Sequence, residues 1–218
     1  MNDLYDSRFI IKTDPKKDCI LYKLPRTWWS RSYEYAWASL FVKDYHVVLD
    51  SGCGISHPFK FYLSDQCKEL YACDIDNRIL SPEDILKDIE NDFGKEVAKE
   101  FPEKYFNQIN YIKADLKRLP FKSKKFDLIY CISVLEHLPY QDIKLSLEEF
   151  KRTLKDVGLI VLTFDYPSIN LEDFRNIMAE VDLEFAGNVS FQLPKNAITS
   201  NIHSRLYCFR AVLRKHNR

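Results

Sequence analysis

The sequence predicts an α/β fold, a parallel sheet wound between two layers of helices, and three observations predict it. Short β-branched or apolar runs alternate with helical stretches along most of the chain, the pattern of strand–crossover–strand units. One run, Phe126 to Ser133 (FDLIYCIS), is apolar almost throughout, as a strand covered on both faces should be. The first strand of the series runs directly into Asp50-Ser51-Gly52-Cys53-Gly54, a glycine turn at the strand end where open parallel sheets hold their ligands.

Taken in order, residues 1–44 form an aromatic-rich cap segment and residues 45–218 one compact domain. Pro25 to Asp44 is a helix candidate: Trp29, Tyr33, Trp37, Leu40 and Phe41 make one stripe, suited to packing on the sheet, and Trp28, Arg31 and Tyr35 another. Arg31, Tyr33 or Tyr35 can line a ligand cleft from there. Tyr45 to Asp50 is the first strand of the sheet, Pro58 to Cys67 a helix and Glu69 to Asp74 the second strand. Ser81-Pro82-Glu83-Asp84 reads as a helix start, with a capping serine, a first-turn proline and acids at the positive end of the dipole. That helix is expected to run to about Ala98, before Pro102. Asn110 to Ala114 and Phe126 to Ser133 are strands three and four. Ile143, Leu147, Phe150 and Leu154 share one face of a helix over Gln141 to Lys155, which Gly158 ends. Leu159 to Phe164 is strand five, Leu171 to Ala179 a helix, and Leu183 to Phe191 and Leu206 to Leu213 two late strands.

Composition narrows the function. Of the 218 residues 46% are hydrophobic and 29% charged, which excludes a largely disordered chain. Lys plus Arg and Asp plus Glu are both 32, so the net charge is zero and nucleic acid is disfavoured as the main partner. No apolar run approaches the ~20 residues of a membrane helix, and Met1 to Pro15 lacks the apolar core of a signal peptide; a cytoplasmic protein is expected. None of the six cysteines forms a C-x-x-C pair, so neither a structural zinc site nor a disulfide framework is expected.

Four features carry chemistry. Gly52 and Gly54 let the backbone turn sharply and approach a ligand; no third glycine completes a dinucleotide fingerprint, and no Lys-Ser/Thr completes a nucleotide-phosphate loop. Asp74, ending the second strand, can accept both hydroxyls of a ribose, or it forms a solvated acidic turn with Asp76. Asp115 and Leu116, after the third strand, can read an adenine edge with a carboxylate and a backbone N–H, or Asp115 caps a helix. Glu136 and His137 follow the fourth strand; His137 can serve as a general base, or the pair caps the next turn.

VVLDSGCG, YACDID, ADLKRLPF, FDLIYCISVLEHLP and LEEFKRTLKDVGLIVLT occur in that order from Tyr45 to Phe164. Together they resemble the class I S-adenosylmethionine-dependent methyltransferases, in the broad subgroup called type 11. The resemblance implies a Rossmann-like, doubly wound sheet of about seven strands, the last antiparallel, and S-adenosylmethionine as cofactor. By this resemblance Asp50 closes strand one, Gly52 and Gly54 lie under the methionine part of the cofactor, Asp74 holds the ribose and Ile75 packs on the adenine. Asp115 and Leu116 are the adenine pair, and Ile132 meets the cofactor from strand four. Ser56 stands where the family has a third glycine, and Asp156-Val157-Gly158 where P-G-G is common. In some relatives E-x-x-E-H binds a metal; Ser133 replaces the first Glu here, so no metal is expected.

The activity implied is methyl transfer to an oxygen or nitrogen of a small-molecule acceptor. The acceptor site is expected to form from the N-terminal aromatic segment, the turn at His137 and Asp165-Tyr166-Pro167, with Ser168 to Asn201 adding a partial lid. The cofactor's carboxylate needs a charge partner, and the glycine loop has none, so Arg31 or a neighbouring tyrosine is expected to reach it. An RNA or protein methyltransferase, resting on the basic end from Arg205 to Arg218, and a non-catalytic cofactor-binding regulator are the alternatives.

Overall fold

The computed structural model describes residues 3–200 and 205–216 and builds them around one sheet. In chain order the elements are β1 (Arg8–Phe9), α1 (Arg31–Ala38), β2 (Val47–Ser51), α2 (Phe59–Ser64), β3 (Glu69–Asp74), α3 (Pro82–Phe93), α4 (Lys95–Lys99), α5 (Lys104–Gln108) and β4 (Ile109–Lys113). Then come β5 (Phe126–Ile132), α6 (Tyr140–Thr153), β6 (Leu154–Tyr166), α7 (Leu171–Glu180), β7 (Leu183–Phe185), β8 (Thr199–Ser200) and β9 (Leu206–Lys215). The spatial order is β1-β9-β6-β5-β2-β3-β4, and β7 and β8 also pair with β9. Strands β2 to β6 are mutually parallel, and β9 runs antiparallel to β6. This is the Rossmann-like, doubly wound arrangement with an antiparallel last strand. The two-residue strands β1 and β8 bring the described sheet to nine, against about seven expected. The chain leaves β2 toward β3 on one side and takes up β5 on the other, so a crevice opens beyond the C-terminal ends of these two neighbours.

Both faces of the sheet are covered. Phe126, Ile129 and Cys131 of β5 pack with Leu147, Phe150 and Phe174 on one side; Leu128, Tyr130 and Ile132 pack with Tyr35, Phe59, Phe61 and Ile85 on the other. That is why the FDLIYCIS run has no polar face. Phe126 and Leu128 face opposite ways, and the pairing of β5 with β6 shifts register between them.

Several boundaries differ from expectation. The helix candidate over 25–44 shrinks to α1, because turns with i to i+3 bonds (Trp28 N to Pro25 O, Phe41 N to Ala38 O) flank it. Its expected stripe also splits: Trp37 and Phe41 are buried and Leu40 is exposed, while Tyr35 of the opposite stripe is buried on Phe59. Gly94, at φ 94°, breaks the helix begun at Ser81 into α3 and α4. Gly158 does not end α6 but lies within β6, passing so close to the Asp127 carbonyl that a Cβ would lie 2.9 Å from it. The late strand over 183–191 stops at Phe185, and the chain turns to bond Ser7 through Asn188 and Ser190. Residues 168–200 form no lid: α7 buries Phe174, Ile177 and Met178 against the sheet, and β7 and β8 lie along β9 (Asn201 is outside the described residues).

Candidate active site

The turn after β2 is held from below. Gly52 N and Cys53 N donate to Cys73 O at 2.8 and 3.1 Å, and Ser51 Oγ donates to Tyr130 O at 2.5 Å. Gly52 and Gly54 sit at φ 67° and 62°, where a side chain is strained. A Cβ would lie 2.7 Å from Val134 at Gly52 and 2.6 Å from His57 at Gly54. The loop therefore presents bare backbone to the space above it.

That space is a cavity of about 340 Å³. Ten of the residues singled out from the sequence line it: Arg31, Asp50, Gly52, Gly54, Asp74, Ile75, Asp115, Leu116, Ile132 and His137. The Asp74 carboxylate accepts Gly54 N at 2.9 Å and Asp76 N at 3.1 Å, which fixes it against the loop. Asp76 instead turns to Arg78, accepting its N–H and its Nε. Ala114 N donates to Asp74 O, which seats the turn after β4 beside Asp74. Asp115 Oδ1 accepts Lys117 N at 3.0 Å, so Asp115 does cap its own turn while its residue lines the cavity. Ile75 is 67% exposed, an apolar side chain with one face free over the cavity edge. Ile132 and Ser133 close the floor from β5; Ser133 takes a φ of 50° there, and His137 is exposed at the rim.

From the N-terminal segment, Arg31 and Tyr35 complete the wall, whereas Tyr33 packs away from the cavity with Ile10 and Ile198. Tyr35 Oη and His57 Nδ1 are 2.8 Å apart, and Trp28 stacks on the His57 ring at 4.1 Å. Burial pushes His57 well below its ordinary value, so this imidazole is neutral. Arg31 Nη1 donates to Glu34 Oε2 at 2.6 Å.

Three ionisable groups are buried at this surface, and two of them, Lys60 and Glu34, escaped the sequence reading. Lys60, fully buried on α2, donates to Gly54 O at 2.8 Å and His57 O at 2.9 Å, tying the 54–57 turn to the helix where a third glycine is missing; burial lowers its pKa. Asp50 is raised to about 7 by burial, which Lys60 opposes. Glu34 is fully buried: burial pushes its carboxyl up, and Arg31 with the hydroxyls of Ser133 and Thr163 more than offset this and hold it below its ordinary value. The one available signal was an acid and a lysine placed inside otherwise aromatic helical runs, at Tyr33-Glu34-Tyr35 and Phe59-Lys60-Phe61. Beyond His137, burial raises Glu136 to about 8 and Asp165 to about 6. Glu136 Oε2 and Asp165 Oδ1 are sealed with no hydrogen-bond donor among the described residues. Ser133 Oγ donates to Glu34, and among the described residues no three His, Cys, Asp or Glu side chains gather as metal ligands.

A glycine cradle, a fixed carboxylate at the end of β3, an apolar face at Ile75 and an arginine on the opposite wall suit a nucleoside that carries an anionic arm. The comparisons with known proteins agree. A family model described as a methyltransferase domain matches residues 49–162. An uncharacterised protein of Methanocaldococcus jannaschii is 42% identical over 64 residues, 29% of this chain and 27% of that protein. The sterol 24-C-methyltransferase of Pneumocystis carinii is 28% identical over 134 residues, 61% of this chain and 31% of that enzyme. The matched stretches thus span a third or less of these two relatives. Among solved structures, a TehB-like SAM-dependent methyltransferase from Corynebacterium glutamicum superposes with a TM-score of 0.56 at 18% identity, covering 84% of this chain and 86% of that one.

Proposed function

The chain belongs to the methyltransferase-domain family, and from that premise we propose that it methylates an oxygen or nitrogen of a small molecule. S-adenosylmethionine is its cofactor, and when bound it supplies a methyl group on a cationic sulfur, already activated for transfer. We assign Gly52 and Gly54 to the methionine part, Arg31 to the carboxylate, Asp74 to the ribose, Ile75, Asp115 and Leu116 to the adenine, and Ile132 to the floor. Asp50 supports the loop from beneath. The bare backbone at Gly52 and Gly54 supports this fit, since any side chain there would collide with Val134 or His57.

The acceptor enters beside Val134, His137 and Leu138. His137, exposed at that rim, is the residue we assign as general base, to take the proton an O–H or N–H nucleophile gives up. The observation that carries the small-molecule reading is that the cavity of about 340 Å³ is lined at this end by Val134, His137 and Leu138, with Arg31 its only lysine or arginine among the described residues, rather than forming a basic groove. Most of the basic C-terminal end is paired within the chain: Arg210 is buried on Asp3, Arg214 pairs with Glu184 and Lys215 with Asp156, while Arg205 is exposed over the Tyr207 ring (Arg218 is outside the described residues). Neither observation favours RNA.

The test is methyl-tritiated S-adenosylmethionine incubated with the protein and, separately, with small-molecule, RNA and protein fractions of a cell extract. Label is expected in the small-molecule fraction. Label in RNA or protein would overturn the acceptor class, and cofactor binding without transfer to any fraction would point to a regulator.

A further inference from the structure

Glu34 is a charged residue that the proposed reaction does not use, and it is 0% exposed. A buried carboxylate is costly unless donors surround it. Here one oxygen, Oε1, accepts Ser133 Oγ at 2.6 Å, Thr163 Oγ1 at 2.6 Å and Cys208 Sγ at 3.4 Å. Those three donors sit at the end of β5, in β6 and in β9, which are neighbours in the sheet. The other oxygen, Oε2, accepts Arg31 Nη1 at 2.6 Å and Ser30 Oγ at 3.0 Å. So one side chain is fixed to three strands at the ligand end of the sheet and, through its second oxygen, holds the arginine on the cavity wall.

Packing alone does not call for this. α1 already buries Tyr35, Trp37 and Ala38 against the sheet. An apolar residue at position 34 would add to that contact without taking a charge out of water. What an apolar residue could not do is orient a guanidinium. Arg31 is a long side chain with several rotatable bonds, and its side chain is only 17% exposed. Holding one N–H corner in place removes the rotamer entropy that ligand binding would otherwise have to overcome.

We propose that Glu34 is a positioning residue that sets the Arg31 guanidinium for the carboxylate of the cofactor's amino-acid arm, and so makes the site discriminate nucleosides that carry that arm from those that lack it. This rests on the assignment of Arg31 to the carboxylate.

The test is binding, not turnover. S-adenosylhomocysteine carries the amino-acid arm and 5′-methylthioadenosine does not; calorimetry gives the ratio of their affinities in each variant. Glu34→Gln can offer its single carbonyl to the strand hydroxyls or to Arg31, not to both. It is expected to weaken S-adenosylhomocysteine about tenfold and 5′-methylthioadenosine less than about twofold. Arg31→Met should reduce the ratio similarly, and the double variant should lose little more, because the two act as one unit. If Glu34→Gln does not fold, Thr163→Val, which leaves the Glu34–Arg31 pair but removes one of its anchors, should lower the ratio in the same direction by about threefold. Equal weakening of both nucleosides, or an unchanged ratio, would show that Glu34 only packs. A ratio that collapses in Arg31→Met but holds in Glu34→Gln overturns this proposal and leaves the Arg31 assignment standing. A ratio unchanged in Arg31→Met overturns the assignment itself.

Discussion

Asp74 and Asp76 lie two residues apart and do different work. Asp74 faces the cavity, braced by Gly54 N and Asp76 N, whereas Asp76 is committed to Arg78. Loss of a charge-assisted bidentate contact costs roughly 1.5–3 kcal/mol, so Asp74→Ala should weaken S-adenosylmethionine binding by about tenfold to a hundredfold while Asp76→Ala leaves it unchanged. Calorimetry on the folded variants checks this, and the reverse pattern would put the ribose contact two residues later. This register was legible because a carboxylate at a strand end has a fixed place beyond the sheet. Glu34 was not legible: its five donors come from Ser30, Arg31, Ser133, Thr163 and Cys208, and three of them are about a hundred residues or more away along the chain. Glu136 carries a pH prediction. Its folded pKa is raised to about 8, so from the ordinary carboxylate range up to about pH 8 the folded state keeps a proton that the unfolded chain has lost. This group therefore favours the fold at low pH, and its contribution is lost as pH rises, at about 1.4 kcal/mol per pH unit. Glu136→Gln should accordingly gain stability relative to the parent between pH 5 and pH 8. Urea unfolding of both proteins across that range measures the difference, and a gap that narrows toward pH 8 would contradict it.

At the scale of elements, strands were read more faithfully than helices. Strands β2, β3, β4 and β5 lie within a residue or two of expectation, because each is a short apolar run closed by a polar turn residue. Helix ends were less legible. The aromatic stripe over 25–44 has helical spacing, but Trp28 is claimed by His57 and Trp29 by Ile10 and Ile198, and those contacts bend the chain out of helix before Arg31. Likewise the break at Gly94 depends on a backbone angle that only the fold reveals. The glycine turn after β2 is the element on which the site depends. Gly52→Ala would force an L-residue into the left-handed region, costing roughly 1–2 kcal/mol, and would drive its methyl against both Cγ atoms of Val134. The variant should unfold at lower denaturant and lose S-adenosylhomocysteine binding. Pairing it with Val134→Ala should restore part of the binding, since that removes the collision but not the backbone strain. A Gly52→Ala protein with parental affinity would mean that the loop does not carry the cofactor.

For the whole molecule the question is whether residues 1–44 are a cap or a part of the fold. The family model begins at residue 49, and the motifs begin at Tyr45, so sequence alone draws a boundary there. The contacts run across it. β1 pairs with β9 through Arg8–Arg210 and Phe9–Phe209, and the Phe9 ring meets Phe209, Tyr166 and Tyr207 edge-on. Arg210, 3% exposed, donates to Asp3 O and lies 5.1 Å from the Trp37 ring. Tyr130, fully buried in β5, donates to Ala38 O, and Tyr22 Oη donates to Ser56 O behind the glycine loop. Cutting before Tyr45 would strip the partners from Arg210, Tyr130, Ser133 and Thr163, and would bare the apolar side of the sheet that Tyr35, Trp37 and Phe41 cover. A buried polar group left without its partner costs about 1–3 kcal/mol, so four of them amount to about the whole stability of an ordinary domain before any lost apolar contact is counted. We therefore expect residues 45–218 produced alone to lack a cooperative unfolding transition and to bind no S-adenosylhomocysteine. Adding residues 1–44 back as a separate peptide should restore neither at micromolar concentration, because β1 and α1 must be ordered together with β9. A cooperative, nucleoside-binding 45–218 fragment would show instead that the N-terminal segment is a detachable cap, and that the sheet is complete without it.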